Sequence, residues 1–541
     1  MAEEEILKET WNIIKDNLSN RSFVTHPYLV SWVEANLDAF LEYMQERIKK
    51  KVSPENNQFC FSPKSDICIR RGSILSFPDA FFYTFVIKKL YKKIYKKIKW
   101  TQNTLDISYP LDEPKKKNAW TENALLGWER FPNKTLAILE EGYSHVIFLD
   151  IAACYDNINH RLLMEYLNKS ITTKEEKDIL KELQNCIGKW SGDSGKGLPQ
   201  GYTASDILAK VYFEKIHEIL KAKNIRHIRY VDDFRVFCNS EAEARRYMIE
   251  ITEVLSNHGF SIQTHKTILL NKAETKKHIK SSTHAVKETI SSLKGTAYTN
   301  TTDEELEVLM GNPDITFVKV LEKTFKKYFP TNKNKEFNKT LYHYLASRLG
   351  KQKSACCVDY VINTIKTRPE ETKYSLIYLS NLYKGRKLPK KILRGLTAYL
   401  NSDKCFYDYQ KYEILKFFYE NNTKDIELSS ISEKIAKDRN NPTWMRSYAF
   451  GIWASNTKSP AEIMSLYPRE TDEIIKGDIL QASFCLPQKE AMKFLNRNES
   501  ASFWSKYIKP FITSEYNKLG NSSGKKKNKV VPTVAPCGSY E

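Results

Sequence analysis

The chain has 541 residues, 41% of them hydrophobic, and Lys+Arg exceed Asp+Glu by 85 to 65 for a formal net charge of +20. That length outgrows one hydrophobic core and predicts about two to four domains, which excludes a disordered tail or a lone small module. The basic surplus points to a polyanionic partner, and with no apolar run reaching roughly 18 residues, no membrane span is expected.

The opening MAEEEILKETW is acidic and unlike a secretory signal, so a cytoplasmic protein is expected. The ten cysteines include no C-x-x-C pair and the ten histidines do not cluster with them. That pattern predicts reduced thiols and argues against a disulfide framework or a zinc site.

Residues 1–135 read as mainly helical. Within them IKKLYKKIYKKIKW, from Ile87 to Trp100, places lysine pairs every four residues around Leu90, Tyr91, Ile94, Tyr95 and Ile98. Such an amphipathic helix suits a solvated lysine face over an apolar stripe, or a phosphate-contacting or membrane-surface helix. Residues 136–290 alternate strand-like runs (HVIFLDIA, HIRYVDDFRVFC, FSIQTHKTILL) with helical ones, an α+β pattern. From 291 to 519 helical patterns dominate. YSLIYLSNLY, YEILKFFYE, MRSYAFGIWA and GDILQASFCL recur roughly every 32 to 38 residues, the spacing of helix-pair (HEAT-like) repeats, although a plain irregular helical domain fits as well. Residues 520–541, with GNSSGKKKNK, read as a flexible basic tail.

Chemistry concentrates in the α+β region. In IRYVDDFRVF, Asp232 and Asp233 fall where two apolar runs meet, and a hairpin turning at the pair puts both carboxylates at its tip. Carboxylates that close repel each other and shift toward the neutral acid, so a positive partner is required. Mg2+, or Mn2+ in its place, suits such oxygen ligands. The buried-strand run VIFLDI supplies a third carboxylate, Asp150, and pairing that strand with the hairpin brings Asp150 to Asp232. A site of this kind holds two ions about 4 Å apart and serves nucleotidyl transfer. Taken singly, each aspartate suits a turn cap better than a metal site.

Together the pieces resemble a known family. FLDIAACYDNINH resembles palm motif A of reverse transcriptases, GLPQGYTASDILA resembles motif B, and RYVDDF resembles motif C with its Y-x-D-D signature, in that order. GFSIQTHKT is similar to the following G-x-x-x-x-x-x-K-T element, and SPKSDICIRRGSILSFPD to the basic fingers segment, so the resemblance spans roughly residues 60 to 275. It implies a right-hand-like polymerase, with fingers within 1–135, palm at 136–290 and the helical repeat region behind.

The resemblance also implies roles. Asp150 and Asp232 would be metal ligands together with the backbone carbonyl of Ile151, while Asp233 would tune the charge or bind more loosely. Ala153, Cys154 and Tyr155 would line the nucleotide, the tyrosine as a steric gate against a 2′-hydroxyl. Gln200 and Gly201 would lie against its sugar, Lys64 with Arg70 or Arg71 would clamp the triphosphate, and Lys266 would assist at the departing pyrophosphate. Other readings stay open: Tyr155 as a core aromatic, Asp156 as a cap or turn residue, Arg70 and Arg71 as surface charges.

A palm followed by a helical region most resembles the bacterial abortive-infection (AbiK-type) antiphage reverse transcriptases. That likeness implies homo-oligomers, deoxynucleoside triphosphates as substrates, synthesis that dispenses with a template, and a protein hydroxyl as primer with DNA left covalently attached. Tyr28 and Tyr43 are in the N-terminal region, but sequence selects no primer among the 31 tyrosines. Two alternatives remain: an RNA-templated reverse transcriptase of a mobile element, and a catalytically silent palm serving as an oligomeric scaffold. Arg21 and His26 also match an R-x4-H spacing used by some defence ribonucleases, but Pro27 suits a helix end better than a helix-borne nuclease site.

Overall fold

The computed structural model describes residues 3–20, 23–65, 67–116, 118–122, 124–293, 302–330, 337–457, 459–500 and 502–521; Arg21 and the expected tail beyond 521 lie outside them. The architecture is mixed, with a palm-like antiparallel sheet and a large helical C-terminal region. Contacts group the chain into two compact units. The first comprises the chain up to Phe23, Asp38–Phe59 and Gly72–Ile279; the second comprises Val24–Leu37, Cys60–Arg71 and the chain from Lys280 on. Two short N-terminal stretches thus group with the helical unit.

Strands β1 (Gln58–Ser65) and β2 (Cys68–Ile74) form a separate hairpin. The sheet of the first unit has five strands, β3 (His145–Ala152), β4 (His227–Tyr230), β5 (Asp233–Cys238), β6 (Ser261–Ile262) and β7 (Ile268–Asn271), in the order β4-β5-β3-β6 with β7 also on β3. Because β3 is central, HVIFLDIA is a nearly continuous buried run rather than an alternating one. Cross-strand partners share a face: Val146 with Phe237, Phe148 with Arg235 and Asp150 with Asp233 lie on one, Ile147 with Val236 and Leu149 with Phe234 on the other. Phe131, Ile138 and Leu139 of the helix Ala124–Glu140 pack on the first face with Val146, Phe148, Ile228, Tyr230 and Phe237. On the second, Phe213 and His217 of the helix Thr203–Ala222 stack against Phe234 and His227.

The lysine-rich helix runs from Phe77 to Ile98 and buries Leu90, Tyr91, Ile94 and Ile98. Four of its lysines are neutralised within the unit: Lys88 by Glu9, Lys89 by Glu175, Lys93 by Glu176 and Lys97 by Glu214. Much of its positive face is therefore structural. No helix among the described residues is long and apolar enough to cross a membrane. The nine cysteines among them are unbridged.

In the second unit the helices Lys339–Lys351, Thr372–Tyr383, Asp408–Glu420, Thr443–Asn456, Glu473–Ala482 and Ser505–Asn521 each pack on the next, starting roughly every 30 to 36 residues. Second helices fill the intervals, such as Ile426–Lys437 against Thr443–Asn456. The apolar runs singled out by their spacing belong to the first series. Side-chain caps start several helices, with Asn338, Asp425 and Asp472 accepting from backbone N–H groups. Gly350 lets two helices close: a Cβ there would fall 3.0 Å from the Tyr378 carbonyl. The segment Val24–Leu37 is tied into this unit, with Thr25 N–H donating to the Tyr412 hydroxyl (2.8 Å), His26 bonded to Asp478 (3.0 Å) and Trp32 donating to Gln481 (2.9 Å).

Candidate active site

Strands β4 and β5 are joined by only Val231 and Asp232, so the turn falls at the aspartate pair. Val231 has φ 55°, a left-handed conformation that a β-branched residue rarely takes and that costs roughly 1–3 kcal/mol. The Arg229 side chain holds it, its Nη1 donating to the Val231 carbonyl at 2.7 Å. Asp232 accepts through its own carbonyl from Ile151 N–H (3.1 Å), and Asp233 opens β5 directly opposite Asp150. The carboxylates expected from sequence thus share one end of the sheet.

Lys266 arrives by a different route. β6 and β7 both pair with β3 but leave Leu149 and Asp150 unmatched, and a 3-10 turn, Thr264–Lys266, spans the gap. Gln263 N–H donates to the Asp150 carbonyl (2.8 Å), and Lys266 Nζ donates to Asp150 Oδ2 (2.7 Å). Burial pushes the Asp233 carboxyl up to about 6, with Asp232 and Asp150 adding to the rise against the opposing Arg235. Arg235, 3.8 Å from Asp233, is sandwiched by the Phe131 and Phe148 rings, and burial lowers it to about 10. Among the described residues no three His, Cys, Asp or Glu side chains are gathered as a ready metal cage; the cation on Asp150 is an ammonium. An all-carboxylate donor set with a stand-in lysine fits a hard divalent cation better than zinc.

After Asp150 the chain turns sharply. Ala153 is exposed at φ 46°, Cys154 is buried with its thiol pushed up by that burial, and Tyr155 starts a 3-10 turn through Asn157. Asp156 lies within that turn. Tyr155 donates its hydroxyl to Asp206, and burial, reinforced by this carboxylate, holds the phenol well above its ordinary value. The Gln200 carbonyl accepts from Ser73 N–H at 3.2 Å. Gly201, at φ 105°, closely faces the Phe23 ring: a Cβ there would lie 2.7 Å from it. Lys64, Arg70 and Arg71 are exposed on the β1–β2 hairpin and group with the second unit.

Several contributors escaped the sequence. Beneath the hairpin turn, buried Asp106 accepts from both Lys210 Nζ (2.8 Å) and Arg229 Nη2, and Arg229 Nε donates to His217 at 3.2 Å. Burial alone would raise the Asp106 carboxyl, but Arg229 and Lys210 overcome it and hold it below its ordinary value. Burial lowers Lys210, and it brings His227 down to about 4 and His217 well below its usual range. An arginine inside the apolar strand HIRY was the available clue, since a buried charge requires a partner. Tyr28 is buried with its phenol pushed up by that burial and by Tyr419, and Tyr43 is half-buried on the helix Leu37–Lys49.

Residues 82–292 match the family model described as Reverse transcriptase (RNA-dependent DNA polymerase). The chain carries a reverse transcriptase domain. Asp150, Asp232, Asp233, Tyr155, Gln200 and Lys266 all fall inside the matched span, whereas Lys64, Arg70 and Arg71 precede it. No curated protein matches the chain. Among solved structures, telomerase from Candida albicans in complex with a fragment of telomeric RNA is 13% identical, with 78% of this chain and 74% of that chain covered at a TM-score of 0.30. Apo telomerase from Candida tropicalis is 12% identical, with 76% and 73% covered at the same TM-score.

Proposed function

We propose that the chain is a divalent-metal-dependent DNA polymerase of reverse transcriptase type, acting in bacterial antiphage defence by abortive infection, without a template and from a protein primer. The observation that carries the polymerase reading is the gathering of Asp150, Asp232 and Asp233 at one sheet end beside Lys266, inside the span that matches the reverse transcriptase family. On this reading residues 136–290 work as the palm, the preceding region supplies the fingers, and 291–519 are a HEAT-like repeat serving a homo-oligomer.

Asp150 and Asp232 would hold Mg2+ or Mn2+, with the Ile151 carbonyl as a neutral ligand and Asp233 as a more loosely engaged one. The bound cations supply charge to the triphosphate and activate the attacking hydroxyl. The protein's own residues do the rest. Lys266, bonded to Asp150 in the structure, would offer its Nζ proton to the departing pyrophosphate. Tyr155, with Ala153 and Cys154 before it, would bound the sugar; Gln200 and Gly201 would lie against it, the glycine once Phe23 yields its place. Lys64 with Arg70 or Arg71 would hold the triphosphate. Buried Arg229 would keep the Val231–Asp232 turn from relaxing.

The test is incubation of the purified chain with deoxynucleoside triphosphates and Mg2+, with and without RNA template and primer, followed by protease. Untemplated product whose mobility changes after proteolysis supports the defence reading. Strict dependence on RNA favours the mobile-element enzyme, and no incorporation in either arm favours a silent scaffold.

A further inference from the structure

Tyr155 is held at both ends. Its backbone is fixed by the turn after β3, where its carbonyl accepts from Leu198 N–H at 3.0 Å and the Asn157 amide donates to the Ala152 and Ala153 carbonyls at 3.3 and 3.2 Å. Its hydroxyl is fixed by Asp206. That carboxylate sits in the first turn of the helix Thr203–Ala222, where the positive end of the helix favours a negative charge. One turn further along the same helix, buried Lys210 lies within electrostatic reach of Asp206 and bonds Asp106, which in turn holds Arg229 and, through it, the Val231 carbonyl. The ring and the aspartate turn are thus linked through one series of charged side chains, buried at Lys210, Asp106 and Arg229. The tyrosine residue itself nevertheless stays partly exposed beside the carboxylate strand.

We propose that Asp206 is a positioning residue for sugar selectivity: by anchoring the Tyr155 hydroxyl it makes the ring a rigid wall that excludes the 2′-hydroxyl of a ribonucleoside triphosphate. This rests on the polymerase reading above. Rejecting one extra hydroxyl by shape is a demanding task, and a wall that swings between rotamers does it poorly. The anchor, not the bulk of the ring alone, is what this site adds. The conserved bulk of a phenylalanine would therefore not suffice.

The test compares kcat/KM for a deoxynucleoside triphosphate and its ribo counterpart in the full-length wild type, Tyr155→Phe, Asp206→Ala, Asp206→Asn and the Tyr155→Phe/Asp206→Ala double variant. Loss of one hydrogen bond to a charged group predicts a roughly tenfold fall in the deoxy-to-ribo ratio in Tyr155→Phe and in Asp206→Ala. The double variant should be no worse than either. Asp206→Asn, which keeps an acceptor, should stay close to wild type. Should Asp206→Ala fail to fold, Tyr155→Phe removes the same bond from the other side and decides alone. An unchanged ratio in Tyr155→Phe, with the wild type active, overturns the role of Asp206. A wild type that incorporates neither sugar overturns the polymerase reading itself.

Discussion

The two units treat buried charge and backbone strain differently. In the first, Asp106 answers two cations, Lys210 and Arg229, and three aspartates share a sheet end with one lysine. Of the eight left-handed non-glycine residues described there, two, Val231 and Ala153, fall close to those acids. In the second, the Arg446–Glu470 pair is closed by local donors, the N–H groups of Thr471 and Asp472. Its left-handed residues Lys353 and Asn422 are exposed positions just after helices. Strain beside gathered carboxylates marks a place shaped for something other than stability, and it lies in the sheet unit.

The comparison breaks most sharply on activity. Asp150→Asn or Asp232→Asn should lower nucleotide incorporation on the order of a thousandfold while barely moving the melting temperature. Arg446→Met in the helical unit should leave the rate per folded molecule as it was. Stability comes next. Asp106→Asn leaves Lys210 and Arg229 facing each other without a carboxylate, and denaturant titration should record a loss of about 3–5 kcal/mol. Arg446→Met should cost less, about 1–3 kcal/mol, because Glu470 keeps its backbone donors.

The smallest effect is one of pH. His217 and His227 are held neutral by burial, His227 down to about 4. The unfolded chain takes up their protons below about 6.5 while the folded one resists, so their stabilisation is complete above that pH and drains away as pH falls toward about 4. A melting-temperature series over that window should slope downward with acid in wild type and more shallowly in His227→Gln. Equal slopes would remove the pair from the account.

Much of this was legible locally. The run VIFLDI announced a buried strand ending in a carboxylate, YVDD announced the hairpin tip, and the helical patterns after residue 290 announced the large helical region. What local pattern could not carry was pairing across the chain. Nothing around Asp106 in TLDISYP indicates that it meets Lys210 and Arg229 more than a hundred residues later. Phe23 gives no sign that it packs on Gly72 and Gly201, nor do residues 24–37 and 60–71 that they group with the helical unit. The lysine pairs of the long helix read as a solvated or ligand-facing surface because the acids that neutralise several of them come from three distant places.

On the proposed reading, Asp150 and the hairpin aspartates hold a divalent cation when substrate is present. Electron paramagnetic resonance of Mn2+ with the full-length chain and a deoxynucleoside triphosphate tests it without relying on turnover. Wild type should take up Mn2+ only weakly alone and strongly with the nucleotide, and Asp150→Asn and Asp232→Asn should each abolish the nucleotide-dependent part. Uptake by either variant equal to wild type would contradict the account.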